Sequence, residues 1–397
     1  MYDVTRHEPL IEAEWNQELA LAAIDRIIRD THARFARQQL WPIHPLDKIS
    51  DEPTKPFRML YFGAAGVIWA LDYLRVAGAT AMQRDFKDTL IDLAAKNRAE
   101  MQLRAPHTYS YLMGDVGIQL VQWRLSPSDV LADQIFQAVE ANVANPAREF
   151  MWGAPGTMLA ALFMFEASGA TRWKEVYLQS VEQLVGELRK NEERNCYVWI
   201  QHLYGRSSVY LGAVHGFAAN IFSIIKGRKY LDSQTLSLVE SRARETAARS
   251  AQTDNVFANW PADLGGKSKL VQHCHGAPGM ITCLADLPSG PDEEFDRLLI
   301  KAGELIWQAG PLTKGPNLCH GTAGNGYAFL KLYRRTGDTK WLERARAFAT
   351  HAIDQSERHA QNFGQRRYSL WTGDLGLAVY LSDCINGVAQ FPTMDVF

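Results

Sequence analysis

No stretch of this 397-residue chain reaches the roughly 18 uncharged apolar residues that a membrane-spanning helix requires. Charge of one sign is missing too. The 42 basic residues nearly balance the 44 acidic ones, and a net charge of −2 offers no field for nucleic acid or anionic lipid. Cysteine is scarce: five residues, an odd number and widely spaced, make no disulfide framework and suit reduced thiols. Residues 1–14 mix acids and bases without an apolar run, so no signal peptide is expected and a cytoplasmic location follows. Sustained period-two alternation is also absent, which excludes an extensive half-exposed sheet. What remains is 47% hydrophobic and 22% charged, enough to bury a large core.

The chain is organised by a repeat. A Gly-x-x-Gly turn occurs as Gly63/Gly66, Gly114/Gly117, Gly153/Gly156, Gly276/Gly279, Gly321/Gly324 and Gly373/Gly376, and a seventh turn has Gly216 with Ala219 in the second place. First glycines lie 39 to 63 residues apart. Each turn is followed by an apolar segment: residues 67–76, 118–125, 157–167, 217–225, 280–287, 327–333 and 377–381. Helices apolar on most sides are buried helices. Between them, residues 18–36, 86–101, 129–142, 174–190, 236–251, 293–309 and 341–355 place charge on one face at helical spacing. Capping sequences open several, including Ser126-Pro127-Ser128-Asp129 and Ser289-Gly290-Pro291-Asp292.

Seven outer helices alternating with seven inner ones predict an all-α fold, an α/α toroid with a double ring, formed by residues 1–397 as a single domain. An open solenoid is the competing architecture, but no distinctive capping repeats are present. In a closed ring all seven turns lie at one end. Two long linkers, residues 44–62 and 253–272, stand apart; the second contains Asn259-Trp260-Pro261 and is expected to form a lid or wall. Residues 387–397 show no helical pattern and are expected to be loosely held.

Soft-metal ligands sit at two of the turns, in Cys274-His275-Gly276 and Cys319-His320-Gly321. The cysteines are too far apart for a zinc finger or ribbon. Brought together by a ring, Cys274, Cys319 and His320 make three zinc ligands with a fourth position open, the layout of a catalytic rather than a structural site. Two thiolates and an imidazole leave the ion formally neutral, suited to binding a further thiol. His273 and His275 flank Cys274 and compete as ligands. Burial is the commoner fate of a free cysteine and is assigned to Cys196, Cys283 and Cys384.

His215 immediately precedes Gly216 and can act as a general acid or base, or be a buried, hydrogen-bonded imidazole. Glu149 and Asp115 are the carboxylates nearest the turns; acids at helix starts usually serve the macrodipole. Lys314 and the pair Arg366-Arg367 line the same rim, where they can hold a carboxylate-bearing substrate.

Taken together, His215-Gly216, Cys274-His275-Gly276-Ala277-Pro278-Gly279 and Cys319-His320-Gly321-Thr322-Ala323-Gly324-Asn325 resemble the signature turns of the lanthionine synthetase C-like family, over nearly the whole chain. The resemblance implies an α/α toroid, with Cys274, Cys319 and His320 as Zn²⁺ ligands, His215 as acid/base residue and Glu149 beside it. It implies addition of a thiol, glutathione or a peptide cysteine, to dehydroalanine or dehydrobutyrine in a peptide or protein, closing a thioether. The Cys-His-Gly-Ala-Pro-Gly turn, Asn259-Trp260-Pro261, Glu149 and Lys314 are similar to the glutathione-using branch, in which a lysine at the Lys314 position helps bind the thiol substrate; Arg367 is placed with it. Two positions depart from the pattern. His273 stands where the family has Trp, and Ala219 where it has Gly. A zinc- and thiol-binding scaffold without turnover, and an α/α-toroid sugar hydrolase using Asp115 and Glu149, are the alternatives; the second leaves the cysteines unexplained and needs carboxyl groups about 5 to 9.5 Å apart.

Overall fold

Each glycine pair ends a loop and opens a helix. The computed structural model describes residues 1–48, 55–101, 109–290 and 293–397. Among these lie α1 (Gln17–Ala33), α2 (Ala64–Val76), α3 (Lys87–Met101), α4 (Asp115–Leu125), α5 (Asp129–Asn142), α6 (Ala154–Ser168), α7 (Thr171–Glu187), α8 (Phe217–Lys226), α9 (Ser233–Ser250), α10 (Ala277–Leu284), α11 (Glu294–Ala309), α12 (Thr322–Thr336), α13 (Thr339–Phe363) and α14 (Asp374–Asn386). The even-numbered helices are the apolar ones, and each packs on the next, with α14 returning to α2. That contact closes the inner ring and rules out the open solenoid. The odd-numbered helices form the outer ring, with α7 against α6 and α13 against α12 and α14. No helix among the described residues is long and apolar enough to cross a membrane.

The loops explain the glycines. Every inner helix begins at the residue after the first glycine, which caps it without any side-chain hydrogen bond. The unpaired N–H groups of the first turn are satisfied by loop carbonyls seven residues upstream: Ala64 by Phe57, Phe217 by Tyr210, Thr322 by Gly315 and Asp374 by Arg367. This folds the loop tightly over the helix start. A Cβ on the second glycine would then strike a backbone carbonyl six residues upstream, as at Gly66, Gly117, Gly156, Gly279, Gly324 and Gly376. At the fourth turn the close approach falls instead on Gly216, whose φ of +152° suits glycine, and Ala219 is accommodated in the buried face of α8.

Outer helices are capped conventionally. Ser128 Oγ accepts from Leu131 N at 3.3 Å, as the sequence leads one to expect. The expected cap at Ser289-Gly290-Pro291-Asp292 falls partly outside the described residues, as do residues 49–54 of the first linker. Among the described residues three antiparallel hairpins were not foreseen: β1 (Arg189–Asn191) with β2 (Cys196–Val198), β3 (Gln201–Leu203) with β4 (Arg206–Ser208), and β5 (Gln252–Thr253) with β6 (Ala258–Asn259). Strands of two or three residues are too short to show a period.

Two expectations are corrected, the lid alternative for the second linker and the loosely held tail. Residues 253–272 form no free lid: Asn259 is fully buried, its Oδ1 accepting from Ala277 N at 2.8 Å, and Trp260 Nε1 donates to the Ala247 carbonyl at 2.8 Å. The tail is not loosely held either. Phe391, Thr393 and Met394 have no exposed surface, because the tail fills the lumen left by the inner helices.

Candidate active site

A belt of backbone hydrogen bonds joins neighbouring turns at the glycine end. Cys274 N donates to Cys319 O (3.0 Å), Cys319 N to Trp371 O (2.9 Å), Trp371 N to Tyr61 O (3.0 Å) and Tyr61 N to Leu112 O (3.0 Å). All five residues stand two before the first glycine of their turn. Cysteines 45 residues apart in sequence therefore meet in register on adjacent turns.

Both thiols are buried and hydrogen-bonded to each other. The Cys319 thiol donates to the Cys274 sulfur, and this lowers the Cys274 pKa against the opposing effect of burial. The same bond, with burial and the charge on Cys274, raises that of Cys319. Such a pair gives up its first proton readily and its second reluctantly. Gln272 Nε2 donates to Cys274 Sγ at 2.9 Å, and Arg6 Nη2 in turn donates to Gln272 Oε1 at 2.8 Å. The Tyr61 hydroxyl bonds to Cys319.

His320 follows Cys319, its backbone N held by Asn317 Oδ1 at 3.0 Å. Burial, then the charges of Lys314, Arg367 and Arg6, push its imidazole down to about 3, so it is neutral. Among the described residues no three His, Cys, Asp or Glu side chains already stand together as a metal-holding group. The donor chemistry nonetheless fits zinc: two buried soft sulfurs, one already disposed to ionise, beside a neutral imidazole. His273 is not a candidate ligand. Its ring is fully buried and stacks on Phe391 at 4.2 Å and 15°, with both ring nitrogens lacking a hydrogen-bond partner among the described residues. His275 is neutral as well, pushed to about 4 by burial and by His215, whose ring lies 6.2 Å away.

Across the mouth, His215 Nδ1 lies 2.6 Å from Glu149 Oε2. Glu149 is fully buried, and its carboxylate also accepts from Met151 N (3.1 Å) and Trp152 N (2.6 Å). Burial works against the charged imidazole, but the charge and hydrogen bond of Glu149, with a contribution from Cys274, leave the His215 pKa raised. Tyr204, at the exposed turn between β3 and β4, places its ring 6.1 Å from His215 and accepts from Trp152 Nε1 at 3.0 Å. Asp115 is not part of this group. It is bound to Asn97 and Arg98 of α3, which removes it from any carboxylate pair with Glu149.

Of the rim cations, Lys314 is exposed and has no carboxylate partner among the described residues. Arg367 is half committed, its guanidinium forked onto Asp47 with Nε to Oδ2 at 2.9 Å. Arg6 was not anticipated. It belongs to an amino-terminal segment without periodicity, pinned to the rim by Thr313 N to Arg6 O at 3.0 Å.

A closed double ring of helices with two thiols in register at one mouth defines this molecule as an α/α toroid. Residues 55–396 match the family model for lanthionine synthetase C-like protein, and the chain belongs to that family. It is similar to a Danio rerio protein named glutathione S-transferase LANCL1, 28% identical over 310 residues, 72% of this chain and 74% of that one. An Arabidopsis thaliana LanC-like protein, GCL1, is 38% identical over 146 residues, 35% of this chain and 33% of its own. Among solved structures, nisin cyclase superposes with a TM-score of 0.62 at 14% identity, covering 93% of this chain and 94% of that one, a likeness of fold.

Proposed function

We propose that the whole chain acts as one zinc-dependent enzyme that adds a thiol to a dehydroamino acid, forming a thioether. The observation that carries this is the meeting of the Cys274–Cys319 pair with the His215–Glu149 pair at one mouth of the ring. Cys274, Cys319 and His320 would hold the metal. Bound there, zinc supplies deprotonation of a coordinated substrate thiol at neutral pH.

The chain's own residues account for the rest. Lys314, with Arg6 and the partly engaged Arg367, gives the rim a positive face for a carboxylate-bearing thiol, which favours glutathione over a neutral peptide segment. The name of the zebrafish relative agrees with that choice. When sulfur bonds to the β-carbon, the olefin's electron pair moves to the α-carbon, which takes a proton from His215. Glu149 keeps that imidazole oriented through Nδ1 and protonated, leaving Nε2 for the substrate. The substrate thiol's proton restores His215 over the cycle. The olefin, in a peptide or protein, is the second substrate, and nucleic acid is not a partner.

Zinc per chain in wild type and Cys319→Ala, followed by mass gain on incubation with glutathione and a dehydroalanine peptide, tests this. One zinc, lost in the variant, and a glutathione-sized adduct formed only by the metal-loaded protein are expected. Zinc without adduct would point to an intramolecular peptide cyclase or a binding protein, and no zinc would remove the site assignment.

A further inference from the structure

One buried element has no task in that scheme: the tail inside the ring. It follows α14, and its residues reach the inner helices. Lys331 of α12 pairs with Asp395 at 2.7 Å, Lys226 of α8 donates to the Asp395 carbonyl at 2.6 Å, and Phe397 lies against Trp69 of α2 and Phe163 of α6. Filling space would explain those contacts. It does not explain two others that lead to the cysteine turns.

The first runs through Thr393. Its Oγ1 accepts from Trp371 Nε1 at 3.1 Å, and the Trp371 carbonyl accepts the N–H groups of Leu318 (3.1 Å) and Cys319 (2.9 Å). The second runs through Phe391, which stacks on His273, the residue before Cys274. Thr393 is itself held in an unfavourable state. Its φ is +61°, a value β-branched residues adopt only where surroundings impose it. It is fully buried, and its carbonyl accepts the Tyr111 hydroxyl at 2.7 Å. Strain of this kind persists where the surrounding contacts over-determine it, and one of those contacts, the bond from Trp371, leads on to Cys319.

We propose that the carboxy-terminal tail is a positioning element for the cysteine pair: Thr393 acting through Trp371, and Phe391 through His273, set the spacing of the two turns and thereby the affinity of the pair for metal. The inference rests on the zinc reading above. It also gives His273 a task, since a flat ring that stacks on Phe391 couples the tail to Cys274.

Zinc dissociation constants, measured by competition with a chromophoric chelator, would be compared with the thermal stability of the metal-free proteins for wild type, Thr393→Ala, Thr393→Ser and Phe397→Ala. Loss of a group that orients metal ligands costs about ten- to a hundredfold in affinity, and Thr393→Ala is expected to fall in that range, with Thr393→Ser restoring affinity to within about threefold of wild type. Phe397→Ala loosens the far end of the tail, and its ring touches neither Trp371 nor His273. It is expected to lower the thermal midpoint while leaving zinc affinity nearly unchanged. Wild-type affinity in Thr393→Ala, or weakening in Phe397→Ala that tracks its loss of stability, would overturn the proposal while leaving zinc binding intact. A wild-type chain that takes up no zinc would overturn both readings together. Should Thr393→Ala fail to fold, Phe391→Leu, which removes the stacking on His273 and the ring contact with Trp371, tests the tail's hold on both turns by the same measurement.

Discussion

His215 and Glu149, 66 positions apart in sequence, are joined by a 2.6 Å contact between Nδ1 and Oε2 at the rim of the ring. Glu149 comes from the loop before α6 and His215 from the loop before α8, which are neighbours because their helices pack together. The carboxylate is anchored by two backbone N–H groups, so it holds the imidazole without needing to move. An acid/base residue oriented from behind, with its other nitrogen left over, is the arrangement general catalysis requires.

Replacing Glu149 by Gln keeps the shape and removes the charge that raises the His215 pKa. The proton donor is then present only at lower pH. Turnover near neutral pH is expected to fall about a hundredfold or more, within the span of general acid–base catalysis, and the alkaline limb of the pH–rate profile to move down. Stability should follow the same sign. A raised histidine value contributes stability fully below its ordinary 6.5 and loses it as pH rises through the folded value. The stability gap between wild type and Glu149→Gln is therefore largest on the acid side of 6.5 and closes above the raised value. Denaturant titrations across pH, with an unchanged gap, would contradict it.

Zinc should stabilise the wild-type fold by mass action. At a free concentration a hundred times the dissociation constant the gain is about 2.7 kcal/mol, readable as a rise in thermal midpoint. Cys319→Ala is expected to show no such rise. Its metal-free stability should fall by less than about 2 kcal/mol, since a buried sulfur is removed and the Cys274 N to Cys319 O bond is retained.

The ring was legible in the sequence because its cause is local. A glycine pair followed by an apolar run states both the tight turn and the buried helix, and seven copies of it state closure. The cysteine pair was legible for the same reason: Cys274 and Cys319 occupy one position of the repeat. Arg6 was not, because nothing in its spacing marks it and it reaches Gln272 across 266 positions. Tyr61 shares the repeat position of the cysteines and Gln272 stands two before Cys274, but position alone does not state that either bonds to sulfur. The tail was misread on its lack of periodicity. Burial inside a ring needs no helical pattern, and apolar residues such as Phe391, Met394 and Phe397 were its signal.

Lys314→Met separates binding from chemistry. The side chain is exposed, so a charge-assisted hydrogen bond from it to a substrate carboxylate belongs at the lower end of the usual range, about 1.5 kcal/mol. That corresponds to roughly a tenfold rise in KM for glutathione with kcat nearly unchanged. A thiol without carboxylates should show no difference between wild type and variant. Arg367→Met is expected to behave differently, because Asp47, paired with it and only 14% exposed, loses its counter-charge and the fold is weakened as well.

The last prediction compares two glycines in helices. Gly324 opens α12, and a Cβ there would overlap the Leu318 carbonyl, which belongs to backbone and cannot swing aside. Gly186 lies in α7, where a Cβ would meet nothing within 4 Å. Gly324→Ala must therefore push the Leu318–Cys319 strand of the belt away from α12, with an overpacking cost of about 3 kcal/mol or more. Gly186→Ala should instead stabilise by about 0.5 to 1 kcal/mol, through the lower conformational freedom of the unfolded chain. Because Cys319 follows Leu318, the first change should also weaken zinc binding, whereas the second should leave it untouched. Equal stability in the two variants would mean that the glycine repeat is not what holds the turns against their helices.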